Sequence, residues 1–366
     1  MSRARDRDQC PGALEMHQAA DGALARVRLP GGMLTAAQLA ALAGASSRHG
    51  SAVLELTARG NVQIRGITDV QALADALAGA GLLPSTTHER VRNIVASPLS
   101  GRAGGLADVR GWVAELDGAV CAEPALAGLP GRFWFSFDDG RGDVSGLAAD
   151  VGAHVVDGGI ALLLAGRDTG VRLTVDAVVP ALVKLAVKFV DVRGNAWRVR
   201  ELADLSIVLP GVQLAPTPFP AVLRPPVGWL AQDDGRVALG AAVPLGVLTA
   251  AVADRLAAIG APLVITPWRS VLVCDLDEPG ADAALRVLAP LGLVFDANSP
   301  WLSVSACTGS PGCARSVADV RADAARSLAA DSGVHRHFVG CERACGSPPA
   351  GEVLVATGDG YRLARP

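Results

Sequence analysis

The chain has 366 residues, half of them hydrophobic, which is enough for two or three domains with sizeable cores. Its formal net charge of −3 provides no global field for nucleic acid or a membrane surface, so any anion site must be local. The longest apolar runs, "GGIALLLAG" and "VVPALVKLAVKFV", fall short of the roughly 18 uninterrupted apolar residues of a membrane span and read as core elements.

Along the chain, the opening "MSRARDRDQCPG" is charged and has no apolar h-region behind it. Neither a secretory signal nor an anchor is expected, and a cytoplasmic, reducing compartment follows, which disfavours disulfides. In "LARVRLPGG", Arg26 and Arg28 alternate and so share a strand face, an ordinary solvated one on the simplest account. "GGMLTAAQLAALA" predicts an apolar-periodic helix capped by Thr35. "LELTARGNVQI" predicts two β-rich runs about a polar turn, with Arg59 at the turn and Gln63 beyond it. "VRNIV" carries Arg92 and Asn93, and "LPGRFWF" carries Arg132 and Trp134. The stretch "LPGVQLAPTPFPAVLRPPVGW", with prolines at 210, 216, 218, 220, 225 and 226, excludes helix and central strand and predicts an exposed crossover.

Beyond that linker the pattern returns. "PLGVLTAAVADRLAA" repeats the capped helix with Thr249 in place of Thr35, 214 residues on. "LVITPWRSVLV" repeats the paired runs, Thr266 answering Thr57 at an offset of 209 and bringing Trp268 and Arg269 to the region equivalent to Arg59. "ADVR" at 107–110 recurs at 318–321, an offset of 211. Three near-equal offsets in the same order point to two homologous halves related by a pseudo-two-fold axis, each an α+β unit.

The copies differ in sulfur. Only the second carries "CTGSPGC" and, a helix later, "CERAC", so Cys307, Cys313, Cys341 and Cys345 form C-x5-C and C-x3-C pairs. Val317, Val320, Ala324 and Leu328 fall on one face of the intervening helix. The flanking glycines and prolines let backbone approach a bulky inorganic core and aim amide N–H groups at it. Four thiolates suit a 4Fe-4S cluster or tetrahedral zinc, and the long x5 loop favours the larger group over the tight loops of structural zinc sites. Clustered core thiols are the bland alternative, as they are for Cys10, Cys121 and Cys274 taken singly.

These residues resemble the sulfite/nitrite reductase superfamily, whose hallmark is this cysteine spacing beside a tetrapyrrole. Within it the chain is similar to the precorrin-3B synthase family, through "CPGALEMHQAADGALARVRLPGG", "LELTARGNVQIRGI", "VRNIVASPLSGR", "LPGRFWFSFDDGRGD", "ITPWRSVLV", "CTGSPGCARSVADVRADA" and "FVGCERACGSP". The resemblance implies an α+β fold in which two ferredoxin-like half-modules pair with each other beside two larger α+β modules of the sulfite reductase type. The half-modules fall at 18–88 and 229–298, an α+β module without cluster ligands at 89–208, a Pro-rich linker at 209–228 and the 4Fe-4S segment at 299–366.

The same resemblance implies an oxidoreductase that hydroxylates a reduced tetrapyrrole, precorrin-3A, with dioxygen and forms a γ-lactone, in aerobic cobalamin biosynthesis. A sirohaem-dependent sulfite or nitrite reductase is the alternative, and a zinc-stabilised binding module the third reading. An external electron donor is needed, either a reduced ferredoxin-like protein or an NAD(P)H-linked reductase. Neither nucleic acid nor a membrane is an expected partner. Cys307, Cys313, Cys341 and Cys345 would each ligate iron. Sirohaem or an additional iron remains open, and no catalytic base is assigned. Substrate carboxylates fall to Arg59, within the superfamily's T-x-R-x-x-x-Q motif that ends at Gln63, and to Arg92 with Asn93 in its R-N segment. Arg132, Trp134 and Arg269 complete the candidate binding set. Trp134 stands where the reductases carry a second lysine, which speaks against a small, highly charged anion as substrate. His335 and His337 flank the cysteine segment. Because lysine occurs only at Lys184 and Lys188, arginine by itself says little.

Overall fold

The structure is a computed structural model that describes Asp8, residues 10–329 and residues 333–365. The chain forms two compact units. One comprises residues 1–15, 27–32 and 83–222, and the other residues 16–26, 33–82 and 223–366. Among the described residues no helix is long and apolar enough to cross a membrane.

The second of these units contains both copies of the repeated module. In chain order the first copy is β1 (His17–Ala19), β2 (Gly22–Val27), β3 (Met33–Leu34), α1 (Ala36–His49), β4 (Val53–Leu56), β5 (Val62–Ile67) and α2 (Val70–Gly79). Thr35 accepts the amide of Gln38 at 3.1 Å while the Gln38 side chain accepts the amide of Thr35 at 3.0 Å, so two otherwise orphaned donors start α1. Leu39, Leu42 and Ala43 on its inner face are fully buried. The sheet runs β1-β2-β5-β4 and is completed by a strand from the other copy.

The other unit follows. It holds β6 (Ile94–Ala96), α3 (Arg110–Ala122), β7 (Phe135–Asp138), β8 (Val151–Val156), β9 (Gly159–Leu164), β10 (Arg167–Leu173) and α4 (Val178–Val192). β6, β7 and β8 are parallel, and β9 and β10 return antiparallel. The two apolar runs noted above become β9 and α4. The turn after β7 is organised by carboxylates: Asp138 accepts the amides of Gly140, Gly142, Val144 and Ser145, Asp139 pairs with Arg141, and Asp143 accepts the Ser97 hydroxyl. These three carboxylates bring an oxygen each within 4.8 Å of one another. The proline-rich linker has no regular structure from 209 to 227 and alternates exposed residues, such as 216–218, with half-buried ones. Phe219 lies on the His154 ring at 4.6 Å, and the linker's Ala215 exchanges hydrogen bonds with Asp168 and Arg167.

The second copy is β11 (Gly228–Ala231), β12 (Val237–Ala242), β13 (Val247–Thr249), α5 (Ala250–Ala258), β14 (Leu263–Ile265), β15 (Ser270–Leu276) and α6 (Glu278–Leu288). Thr249 caps α5 through the amide of Val252. The copies exchange strands: β13 pairs with β4, and β3 pairs with β14. Each sheet therefore reaches five strands only with a piece of the other half. The fold is α+β with an internal duplication, and reciprocal strand exchange joins the two half-modules.

The remaining segment contains β16 (Val304–Ala306), α7 (Val320–Arg326), β17 (Arg336–Val339), β18 (Glu352–Thr357) and β19 (Gly360–Arg365). β16, β17 and β18 are parallel and β19 is antiparallel, the same order as β6 to β9. The repeated "ADVR" opens α3 in one module and α7 in the other. α7 is shorter than the periodicity predicts. Val320 and Ala324 are buried and Leu328 packs on them, but Val317 precedes the helix and is exposed, because Asp319 caps the amide of Ala322 and starts the helix there.

Candidate metal centre

Parallel pairing explains how two distant cysteine loops meet. Ala306 stands opposite Phe338, so the chain leaves β16 and β17 at the same sheet edge, with Cys307 next after one strand and Cys341 shortly after the other. Cys307 donates its amide to the Phe338 carbonyl at 2.9 Å, and the Gly340 amide points at the Cys307 sulfur at 3.3 Å. Burial pushes the Cys307 thiol upward, amides of Gly340 and Gly309 oppose that, and the Cys313 and Cys341 sulfurs add to it. The Cys345 thiol is likewise raised, first by burial and then by Cys307 and Cys341. Cys307 and Cys345 are thus each raised in part by cysteines of the other pair, which puts the two loops in one neighbourhood.

Among the described residues the cysteine sulfurs do not come within 4.8 Å of one another in threes. Tetrahedral zinc, with bonds of about 2.3 Å, would draw them to roughly 3.8 Å. Four cysteines on two neighbouring loops, with the Gly340 amide aimed at the Cys307 sulfur, are a donor set that either tetrahedral zinc or an iron–sulfur core can use.

The loop glycines are packed against protein. A Cβ on Gly312 would meet Thr308 at 2.8 Å and Asp21 at 3.0 Å, one on Gly309 would meet Val320 at 2.7 Å, and one on Gly340 would meet Ser316 at 1.8 Å. Their small size seats the loops on α7 and on the first half-module.

Several basic residues converge on these loops. Arg65, on β5, makes a two-pronged ion pair with Asp21 at 2.8 Å and donates to the carbonyl of Gly312, next to Cys313, at 2.6 Å. Burial alone would lower its pKa, but the Asp21 hydrogen bond and the charges of Glu55, Asp21 and Cys313 raise it. Arg269 donates to the carbonyl of Gly346, next to Cys345, at 2.8 Å. Burial, and then repulsion from Arg321, bring Arg269 down to about 10, with Cys307 and Glu55 opposing, so it remains a cation at neutral pH. Arg321, from α7, pairs with Glu55 of β4 at 2.6 Å. Glu55 also accepts from Gln63 at 3.2 Å, and Gln63 accepts from Arg26 at 2.9 Å. His337 donates to the Cys345 carbonyl at 3.0 Å and is linked through the Ser305 hydroxyl to His335. Burial holds His335 below its usual pKa.

The candidate substrate residues fall in both units. Arg59 is half-buried at the β4–β5 turn, Gln63 is tied into the ladder just described, and Arg269 touches a cysteine loop. In the other unit Arg92 is buried and paired with Asp117 at 2.7 Å, and Asn93 donates its amide to the carbonyls of Arg90, Gly131 and Phe133. Trp134 is 4% exposed and packs beneath Arg198. Arg132 keeps 57% of its side chain exposed, lying over Trp197 and 3.5 Å from Asp8. The alternation in "LARVRLPGG" does not give a solvated face: Arg28 is 2% exposed and donates to the carbonyls of Arg90 and Pro11, while Arg26 binds Gln63. Sequence reasoning passed over Arg65 and Glu55. The i, i+2 spacing of Gln63 and Arg65 on one strand was the available signal.

Similarity to known proteins follows the same lines. Residues 17–80 match the nitrite/sulfite reductase ferredoxin-like half domain. A precorrin-3B synthase of a Sinorhizobium species is 29% identical over an alignment covering 98% of this chain and 82% of that protein. The ferredoxin–nitrite reductase of Synechococcus elongatus is 26% identical, covering 90% of this chain and 75% of its own. The structure of the Mycobacterium tuberculosis NirA protein superposes with a TM-score of 0.77 at 19% identity, covering 93% of this chain and 74% of that one. The chain thus contains the ferredoxin-like half domain of the nitrite and sulfite reductases, has the α+β fold of NirA, and resembles a precorrin-3B synthase along nearly its whole length.

Proposed function

We propose that this protein is an oxidoreductase acting on a reduced tetrapyrrole, a precorrin-3B synthase that hydroxylates precorrin-3A with dioxygen and closes a γ-lactone, in cobalamin biosynthesis. The observation that carries the reading is the similarity to a precorrin-3B synthase over 98% of this chain, joined to two cysteine loops that leave neighbouring parallel strands. Cys307, Cys313, Cys341 and Cys345 would hold a 4Fe-4S cluster, with the Gly340 amide donating to sulfur. When bound, such a cluster supplies one-electron transfer. Electrons come from an external donor protein, one oxygen atom enters the product, and the other leaves as water. A cytoplasmic, reducing compartment would keep the four thiols available.

The macrocycle carries acetate and propionate groups, which guanidinium groups recognise by paired, charge-assisted hydrogen bonds. We assign that role to Arg59, half-buried at the β4–β5 turn; Arg132, in the other unit, is an exposed arginine lying over Trp197. Arg92, Asn93 and Gln63 orient the backbone and neighbouring side chains through the bonds they already make. Trp134 contributes a packed aromatic in place of a second cation.

Anaerobic purification with iron, sulfide and zinc analysis tests the cofactor. Precorrin-3A, oxygen and reductant should then yield a product heavier by one oxygen atom. An intact cluster with no mass shift would reject the reaction. A second reading, a sirohaem-dependent nitrite or sulfite reductase, draws on the similarity to ferredoxin–nitrite reductases. It predicts a sirohaem chromophore in the purified protein and reduction of nitrite or sulfite by a reduced viologen dye.

A further inference from the structure

The two hairpin turns of the duplication differ in a way that concerns the cysteine loops. In the first, the Thr57 amide bonds the Asn61 carbonyl and Gly60 occupies the left-handed position at φ 67°. In the second, the Thr266 amide bonds the Ser270 carbonyl and Arg269 occupies that position at φ 56°. By geometry Arg269 is therefore the counterpart of Gly60, and Trp268 is the counterpart of Arg59. A side chain in left-handed backbone is strained, and such strain persists where a surrounding interaction holds it.

Here the interaction is visible. The Arg269 stem lies against Gly246, where an added Cβ would meet its Cδ at 2.8 Å, and its guanidinium reaches the carbonyl of Gly346 beside Cys345. From the other copy, Arg65 reaches the carbonyl of Gly312 beside Cys313. One arginine from each half of the duplication thus fixes one residue next to a cysteine from each pair. Arg65 has Asp21 as a partner, whereas Arg321, near Arg269, is paired with Glu55.

We propose that Arg65 and Arg269 are positioning residues for the cluster: each clamps a cysteine loop and keeps a cation beside it, which raises the reduction potential. The inference rests on the cluster reading given above. When one electron from the external donor enters, the site gains one negative charge, and a fixed neighbouring cation favours that state over the oxidised one.

The test is an anaerobic redox titration, followed by absorbance and electron paramagnetic resonance, of the iron-loaded full chain and of R269G, R269K and R65Q. R269G restores the residue that the first hairpin carries at this position, so the turn is expected to fold. R269G and R65Q should each shift the oxidised-to-reduced ratio at fixed poise by about tenfold, equivalent to ~59 mV lower potential for one electron. R269K should recover most of that shift. Wild-type potential in R269G and R65Q would overturn the proposal, as would R269K titrating with R269G. If R269G folds but loses iron, R65Q and R269K decide by the same criteria. A wild-type protein without cluster iron would instead defeat the cofactor reading, a result separable from the first by metal analysis.

Discussion

The ion pair between Arg321 and Glu55 ties α7 of the cysteine segment to β4 of the first half-module, and its removal has a calculable effect. Glu55 is buried, its side chain 6% exposed, and Arg321 is 26% exposed, so the pair is largely shielded from water. Removing one member of a buried pair destabilises by about 3 to 5 kcal/mol, because the survivor is left as an uncompensated charge. In R321Q that survivor is Glu55, which keeps the Gln63 amide and the nearby charges of Arg65 and Arg269. The loss should lie at or just below the low end of that range, about 2 to 3 kcal/mol. In E55Q the survivors are Arg321 and Arg269, which already repel one another, so the upper half of the range applies. For a unit of this size, about 2 to 4 °C accompanies each kcal/mol, so R321Q should lower the unfolding temperature by about 4 to 12 °C and E55Q by more. The assay is a double-mutant cycle by urea unfolding and calorimetry on anaerobically prepared protein of matched iron content. The double variant should recover about 1.5 to 3 kcal/mol relative to the sum of the singles. Additivity to within about 0.5 kcal/mol would refute the coupling and with it the tie between helix and sheet.

Other outcomes follow from single features. Serine at Cys341 should abolish the cluster's visible absorbance and most of the bound iron, and a spectrum unchanged by C341S would contradict its assignment as a ligand. Asp143 is raised to about 6, first by burial and then by Asp138, against the Ser97 hydrogen bond. A carboxyl with a raised native pKa contributes stability that is complete below about pH 4 and is lost as the pH rises through about 6. Asp143→Asn should therefore remove a decline of order 2 kcal/mol between those pH values, seen as a flatter plot of unfolding free energy against pH. Thr35→Ala removes the acceptor of the Gln38 amide, one half of the box that starts α1, and should lower stability by about 1 kcal/mol, with Thr35→Ser largely retaining it in chemical unfolding.

Much of this arrangement was readable from residue order. Thr35 and Thr249 announce their helices because their side chains satisfy amides three residues on, a purely local transaction. The duplication was readable because both copies use the same cap, hairpin and "ADVR" helix start. The strand exchange was not, because β3 and β13 are only two and three residues long and exist as strands only by pairing with the other half. The offset of 209 already sets Arg269 against Gly60, but that both occupy left-handed backbone is visible only in φ. The cysteine pairs were conspicuous, but Arg65 reaches Gly312 across 247 residues of sequence, and only the folded sheet brings the two together.

The asymmetry of the duplication supplies the remaining step. Both larger modules use three parallel strands and a helix opened by "ADVR", yet the arginine of that motif does different work in each. Arg110 pairs locally with Asp108, two residues away, and helps close its own loop. Arg321 reaches Glu55 in the other copy and anchors the helix that follows the cysteine loop. The hairpins diverge in parallel, with glycine relaxed at Gly60 and arginine held under strain at Arg269. In each comparison the copy that bears sulfur has exchanged a locally satisfied position for a long-range bond to the cysteine segment. Such exchanges weaken local consistency, and sequences keep that kind of conflict chiefly where a site has to be held in place. The departures from the repeat therefore converge on the same segment as the cysteines.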